Sequence, residues 1–175
     1  GQGVFVKEIE VALVLDEIDV AVHSLKDLPT QLPPGLTLGA VLSRGDPRDA
    51  LVSREGKTLA ELPPGARVGT GSPRRASQIR HRRPDVEVVL MRGNVDTRVR
   101  KVIEENDVDA AVLAAAGMAR LGLSHLITEH FDPVSFLPAI GQGFLGIECH
   151  EDDEETRVML TAVEDPEARR AADLE

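Results

Sequence analysis

The chain has 175 residues, 42% of them hydrophobic, with four Phe and no Trp or Tyr, enough for one large or two small domains with a Val, Leu, Ile and Ala core. A net charge of −10 argues against general nucleic-acid binding. No apolar run reaches the roughly 18 residues of a membrane span, and the single cysteine, Cys149, rules out an internal disulfide framework.

In chain order, the apolar spacing of Val4, Phe5, Ile9, Ala12 and Leu13 predicts a helix over 4–15. "DVAVH" (19–23) reads as a buried strand, followed by "HSLKDLP", where Lys26 and Asp27 set a cation and an anion side by side before a proline. "LTLGAVL" (36–42) and "DALVS" (49–53) read as strands, "TLAELPPG" as a short helix ended by prolines, and "ARVGTGS" (66–72) as a strand ending in a glycine turn. Then come a helix in "SPRRASQIRHRR", a strand in "VEVVLMR", a helix in "VDTRVRKVIEEN", and "DAAVLAAAG", a buried strand running into a small-residue turn. "PEARRAADLE" opens a charged helix. This alternation predicts an α/β fold with mainly parallel or mixed sheets.

One pattern recurs. "GVFVKEIEVALVLDEIDVAV" and "GNVDTRVRKVIEENDVDAAV" each run loop, helix, Asp, strand, at an offset of 90 residues. Two similar lobes explain the echo, and a ligand cleft between lobes is then the default expectation; chance likeness of two generic helix–strand units also gives it.

The chemistry concentrates in a basic island. Between Arg74 and Lys101 nine Lys/Arg face three Asp/Glu, a balance of +6, so the rest of the chain carries −16. Such an island in an acidic chain suggests a focused site for a small anion, although a solvated basic helix face gives the same count. In "VGTGSPRR", Ser72 suits a helix N-cap and Pro73 the first helical position. The free amides of that turn and the helix dipole favour an anion, and Arg74 and Arg75 add guanidinium groups suited to carboxylates or phosphates. The spacing matches neither a Walker A loop nor a dinucleotide turn. "MRGNVDTR" repeats the theme with Arg92 and Arg98, and "AAAGMARLG" with Arg120. Arginine-bearing loops after three strands would meet at the carboxyl ends of a parallel sheet. Neither a Ser–His nucleophile at His23–Ser24 nor a metal site at Cys149–His150 is expected: neighbours on a strand point oppositely, and zinc ligands are lacking. Cys149 reads as a structural thiol in a reducing cytosol, so a cytoplasmic location is expected.

"GVFVKEIEVAL", "DVAVHSLKDLP", "RGDPRDALVS", "VGTGSPRR", "RGNVDTR", "AAAGMARLG" and "LPAIGQGFLGIEC" together closely resemble the hydroxymethylbilane synthase (porphobilinogen deaminase) family, in order and over nearly the whole chain. The resemblance implies two lobes of the type II periplasmic-binding-protein kind. It also implies an enzyme of tetrapyrrole and haem synthesis that joins four porphobilinogen molecules head to tail on a dipyrromethane cofactor, releasing ammonia at each step. Asp27 then matches the catalytic aspartate, and Lys26, Thr70, Ser72, Arg74, Arg75 and Arg98 the cofactor-binding residues. Phe5, Arg92, Arg98, Arg120 and Gln142 match residues that hold or line the substrate and growing chain. A monomer is implied, with no nucleic-acid or membrane partner.

The family's N-terminal arginine and serine, and the cysteine that carries the cofactor, match nothing here; Cys149 in "GIEC" stands at a different position. Both ends read as cuts in a longer chain, with 1–43 the rear of a first domain, 44–137 a second, 138–161 a return crossing and 162–175 the start of a further domain. Such a fragment is expected to be inactive alone. A non-catalytic, two-lobed small-anion-binding module would use the same loop-borne arginines, but would have no use for a carboxylate at Asp27.

Overall fold

The computed structural model describes residues 2–175, with side chains from Val6 onward; the expected Phe5 contact therefore lies outside the described residues. The chain divides into two compact units, one comprising the residues up to Gly45 together with Ile140–Glu175, the other Asp46–Ala139. No helix among the described residues is long and apolar enough to cross a membrane.

The first unit opens with α1 (Gln2–Val14). Its buried stripe is Val6, Glu10 and Leu13, one helical face at i, i+4, i+7. Ile9, expected on that face, is 37% exposed. The chain leaves α1 through Asp16, whose φ of 54° is the left-handed stop of a helix end. Strand β1 (Val20–Ser24) buries Ala21 and His23 and exposes Val20 and Val22. A single 3-10 turn, Leu25–Asp27, precedes β2 (Leu36–Val41).

The third strand of this sheet comes from the far end of the chain. Ordered after the second unit's elements, β8 (Leu145–His150) inserts between β1 and β2, antiparallel to both, with Val22 opposite Ile147 and Ala40 opposite the same residue. The strand–helix alternation suggested mainly parallel or mixed sheets; in this unit the returning strand makes both pairings antiparallel. Leu13 packs with Ala21 and Leu36 to join α1 to the sheet. The last helices, α5 (Glu154–Leu160) and α6 (Pro166–Leu174), touch β2, and Ala168 packs with Val41 and Phe144. Residues 162–175, read from sequence as opening a further domain, thus lie in this unit.

The second unit is a five-stranded sheet flanked by helices. In chain order it contains β3 (Asp49–Ser53), β4 (Arg67–Thr70), α2 (Pro73–Arg82), β5 (Glu87–Leu90), α3 (Val95–Ile103), β6 (Ala110–Ala114), α4 (Ala115–Arg120) and β7 (Glu129–His130). The spatial order is β5-β4-β6-β3-β7, with β5, β4 and β6 parallel and β3 antiparallel to β6 and β7. Successive residues serve opposite faces, as the pleat requires. Leu51 and Val112 join Ile79 of α2, Phe131 and Phe136, whereas Val52 and Leu113 join Val99 and Val102 of α3 and Met118 of α4.

Two local expectations are corrected. "TLAELPPG" forms turns, not a helix: Glu61 accepts from Thr58 N–H at 2.9 Å and Thr58 Oγ1 at 2.8 Å, which starts a helical turn, but Pro63 and Pro64 stop it. The small-residue turn after β6 is the helix α4, whose alanines are good helix formers.

Candidate functional site

In the second unit the parallel strands β5, β4 and β6 end on one edge, and the antiparallel β3 begins there, because Asp49 lies opposite Ala114. That register sets a carboxylate among the arginine loops. After β4, Thr70 Oγ1 accepts from Ser72 N–H at 3.2 Å, folding the Gly71 turn back on the strand. Ser72 caps α2 by accepting from Arg75 N–H at 3.4 Å, with Pro73 at the first helical position, as its sequence foretells.

From the first turn of α2 both arginines reach Asp49, which is fully buried. Arg75, 5% exposed, donates to Oδ1 from Nε at 2.9 Å and from Nη2 at 2.7 Å, and to Val112 O from Nη1 at 3.2 Å. Arg74 Nη1 donates to Oδ2 at 2.6 Å and also contacts Leu137 O. Asp49 was not foreseen as a site residue: a lone aspartate at an apolar strand carries no local sign of the arginines it meets.

Arg98 comes to the same loop. Its Nε donates to Gly93 O at 2.7 Å, and its guanidinium nitrogens lie 3.8 and 3.9 Å from the point a side chain on Gly71 would occupy. Such a Cβ would also stand 2.7 Å from Met91 O, so only glycine allows this approach. Burial, and secondarily the Arg75 charge, pull the Arg98 pKa below its ordinary value. Partial burial lowers that of Arg120, at the far end of α4. Arg92 lies exposed between β5 and α3. The edge thus brings together Thr70, Ser72, Arg74, Arg75 and Arg98, with Arg92 on the loop after β5 and Arg120 one short helix beyond β6.

In the first unit the Lys26–Asp27 turn is seated on the loop that leads into β8. Leu25 N–H donates to Phe144 O at 3.1 Å, and Lys26 Nζ donates to the buried Gln142 Oε1 at 3.4 Å. Gly141, at φ 69°, lets that loop come close: a Cβ there would be 3.1 Å from Lys26 N. Arg44, which sequence reasoning passed over, donates from Nε to Gln142 O at 3.1 Å, stacks 4.2 Å from the Phe144 ring centre and pairs with Glu175 at 2.7 Å. Asp27 is partly exposed at the end of the turn. Cys149 is fully buried, and burial raises its pKa, as suits an inert thiol.

Known proteins share this fold, and some share much of this sequence. Solved structures of similar fold include a periplasmic substrate-binding protein of an ABC transporter from Coxiella burnetii (14% identity, TM-score 0.57, covering 93% of this chain and 78% of that one). A methionine-binding lipoprotein from Bacillus subtilis, described as putative, is similar at 12% identity and a TM-score of 0.58, covering 94% and 77%. At these identities the likeness is one of fold, and it is the two-lobed α/β type expected from the sequence. Curated relatives are far nearer. The porphobilinogen deaminase of Syntrophobacter fumaroxidans is 53% identical over all of this chain and 56% of its own length. That of Shouchella clausii is 58% identical over 98% of this chain and 55% of its own, so the chain spans about half the length of the curated relatives it matches. The family model described as "Porphobilinogen deaminase, dipyromethane cofactor binding domain" matches residues 1–158. With identity above one half along the whole sequence, and the motif blocks falling where the fold seats them, the chain belongs to the porphobilinogen deaminase family.

Proposed function

We propose that this chain supplies the primer-holding arginines and the catalytic aspartate of a deaminating transferase. That enzyme joins four porphobilinogen molecules into hydroxymethylbilane. The observation that carries the proposal is the crowding of Arg74, Arg75 and Arg98 around the N-terminus of α2. Arg98 is disfavoured there by burial and by its like-charged neighbour Arg75. A helix N-terminus is itself positive, and three guanidinium groups outnumber the one carboxylate, Asp49, that Arg74 and Arg75 share, so the array stays net positive and suits anions. Porphobilinogen and dipyrromethane units each carry an acetate and a propionate, and a lengthening chain of them needs several guanidinium groups.

The residues fit a dipyrromethane on that ground: Ser72, Arg74, Arg75 and Arg98 would hold its carboxylates with Thr70 bracing the loop, and Lys26 would hold another. When bound, the cofactor supplies the pyrrole end onto which the chain grows. Arg92 and Arg120 would take carboxylates of incoming units, with Gln142 beside Lys26. Asp27 has the opposite task. As ammonia leaves the aminomethyl carbon a cationic pyrrole develops; a new carbon–carbon bond then forms, and the attacked pyrrole carbon loses its proton. A carboxylate that accepts from pyrrole N–H lowers the energy of those cations, oxyanion-hole logic with its sign reversed. A non-catalytic anion-binding module shares the fold, but a carboxylate facing an anionic ligand would only weaken its affinity. The enzyme is read as a cytoplasmic monomer.

The test uses the full-length enzyme. Asp27→Asn should leave the circular dichroism and melting temperature intact and lower kcat by a factor on the order of 100 or more. Near-normal turnover would remove Asp27 from the chemistry.

A further inference from the structure

Arg44 and Glu175 have no part in the reaction above, yet both close on the segment that seats Lys26 and Asp27. That segment is Gly141–Phe144, and the contact is made by backbone: Leu25 N–H donates to Phe144 O, and Gly141 passes close to Lys26. Gly141 and Gly143 take positive φ, 69° and 99°, so the support is built from residues with the most conformational freedom to lose. Such a segment keeps one conformation only where its surroundings hold it.

The surroundings hold it from two directions, all within the first unit. From the chain that follows β2, Arg44 Nε donates to Gln142 O at 3.1 Å and Gly45 N–H to Gly143 O at 3.0 Å, while the Arg44 guanidinium lies over the Phe144 ring. A Cβ on Gly143 would stand 2.6 Å from Gly45 O, so the two stretches approach this closely only through glycine. From the end of α6, Glu175 Oε2 accepts from Gly141 N–H at 2.8 Å and Oε1 pairs with Arg44 Nη2 at 2.7 Å. One carboxylate thus ties the support to its brace, with a charge-assisted bond at each oxygen.

The place of Glu175 is not a local preference, because a carboxylate at a helix C-terminus opposes the helix dipole. What delivers it is the start of α6. Asp165 caps that helix, accepting from Glu167 and Ala168 N–H at 3.0 Å, while its other oxygen accepts from Ser43 Oγ at 2.6 Å. The nine-residue helix then spans about 14 Å toward Gly141.

We propose that Arg44 and Glu175 are positioning residues: a clasp that fixes Gly141–Phe144 and, through it, the Lys26–Asp27 turn. Gln142 carries the link, since its carbonyl accepts from Arg44 while its buried Oε1 accepts from Lys26 Nζ at 3.4 Å. That the clasp serves catalysis rests on the proposed function; that it holds Lys26 does not, and is read without turnover.

The experiment uses the full-length enzyme. Glu175→Gln keeps the shape but offers one acceptor oxygen in place of two. Arg44→Lys keeps the charge, but its single nitrogen cannot occupy both the Nε and the Nη2 positions. Each protein is treated with limiting acetic anhydride, and acetylation of Lys26 is compared by peptide mass with that of Lys7, exposed on α1. In both variants Lys26 should react several-fold faster relative to Lys7 than in the wild type, and kcat should fall on the order of 10-fold. The Glu175 side chain is partly exposed, so Glu175→Gln should fold even where Arg44→Lys does not. Leu13→Ala, which opens a cavity between α1 and the sheet, should lower the melting temperature and leave the Lys26 ratio as in the wild type. An unchanged ratio in Glu175→Gln, or an equal rise in Leu13→Ala, overturns the clasp whatever turnover does. A loosened Lys26 with wild-type kcat and KM would leave the clasp standing and sink the roles proposed for Lys26 and Asp27.

Discussion

At Asp49 one carboxylate takes up two guanidinium groups, from Arg74 at 2.6 Å and from Arg75 at 2.7 Å, with no exposure to water. The pair with Arg75 is fully inside, so removing one partner strands the other's charge. Asp49→Asn should therefore cost about 3–5 kcal/mol in a denaturant melt. Arg75→Met made in the Asp49→Asn background, which removes the stranded cation, should recover part of that cost. On the proposed function, Arg74, no longer oriented by Asp49, should also hold the dipyrromethane's carboxylates less well in the full-length enzyme, seen by intact mass as a smaller fraction of chains carrying the cofactor. This residue marks the limit of what the sequence discloses. The arginines are legible because they cluster and follow strands. Asp49, Glu10 and Glu148 are not, because each is a single carboxylate inside an apolar run, and only three-dimensional register shows that Asp49 meets α2 and that Glu148 lies beside His23.

Elements carry the next set of consequences. In β8, Glu148 has a pKa raised in the fold to about 7 from 4.5. A raised carboxyl pKa means stabilisation present below pH 4.5 and lost as pH rises through 7, on the order of 3 kcal/mol by linkage. Glu148→Gln lacks that slope, so the difference between variant and wild type in urea midpoint should move in the variant's favour from pH 5 to pH 8. The loop before β8 supplies a second expectation: Gly141→Ala forces a left-handed residue and a contact 3.1 Å from Lys26 N. A loss of about 1–2 kcal/mol in a thermal melt is expected. At this scale the sequence is legible where period and punctuation agree, as in α2 with its Ser72–Pro73 start and in the repeated helix–strand units α1–β1 and α3–β6. It misleads in "TLAELPPG", where a helix-like start meets two prolines, and on α1, where an apolar tally placed Ile9 inward in place of Glu10.

For the molecule as a whole, the two units differ in how the chain builds them. The second is one continuous stretch, Asp46–Ala139, whose two clusters close on themselves. A protein of residues 46–139 should accordingly unfold cooperatively in urea, with dispersed amide NMR signals; a broad, non-cooperative loss of signal would contradict this. The first unit is discontinuous, and its middle strand arrives about 100 residues after the strands it joins. Sequence reading could divide the chain from its internal echo, but not place β8 at the centre of a sheet: pairing between distant segments leaves no local pattern.

The position of β8 also sets an order in time. At a synthesis rate of about 5–20 residues per second, β1 and β2 leave the ribosome roughly 5–20 s before their partner strand exists. During that interval the arginine-bearing unit can be completed, while the turn that carries Asp27 still lacks the Gly141–Phe144 support on which it rests. If the proposed function holds, newborn chains would acquire their grip on carboxylates before their chemistry. For those seconds β1 offers an unpaired edge, and the exposed Val20 and Val22 make it the segment a chaperone would have most reason to shield.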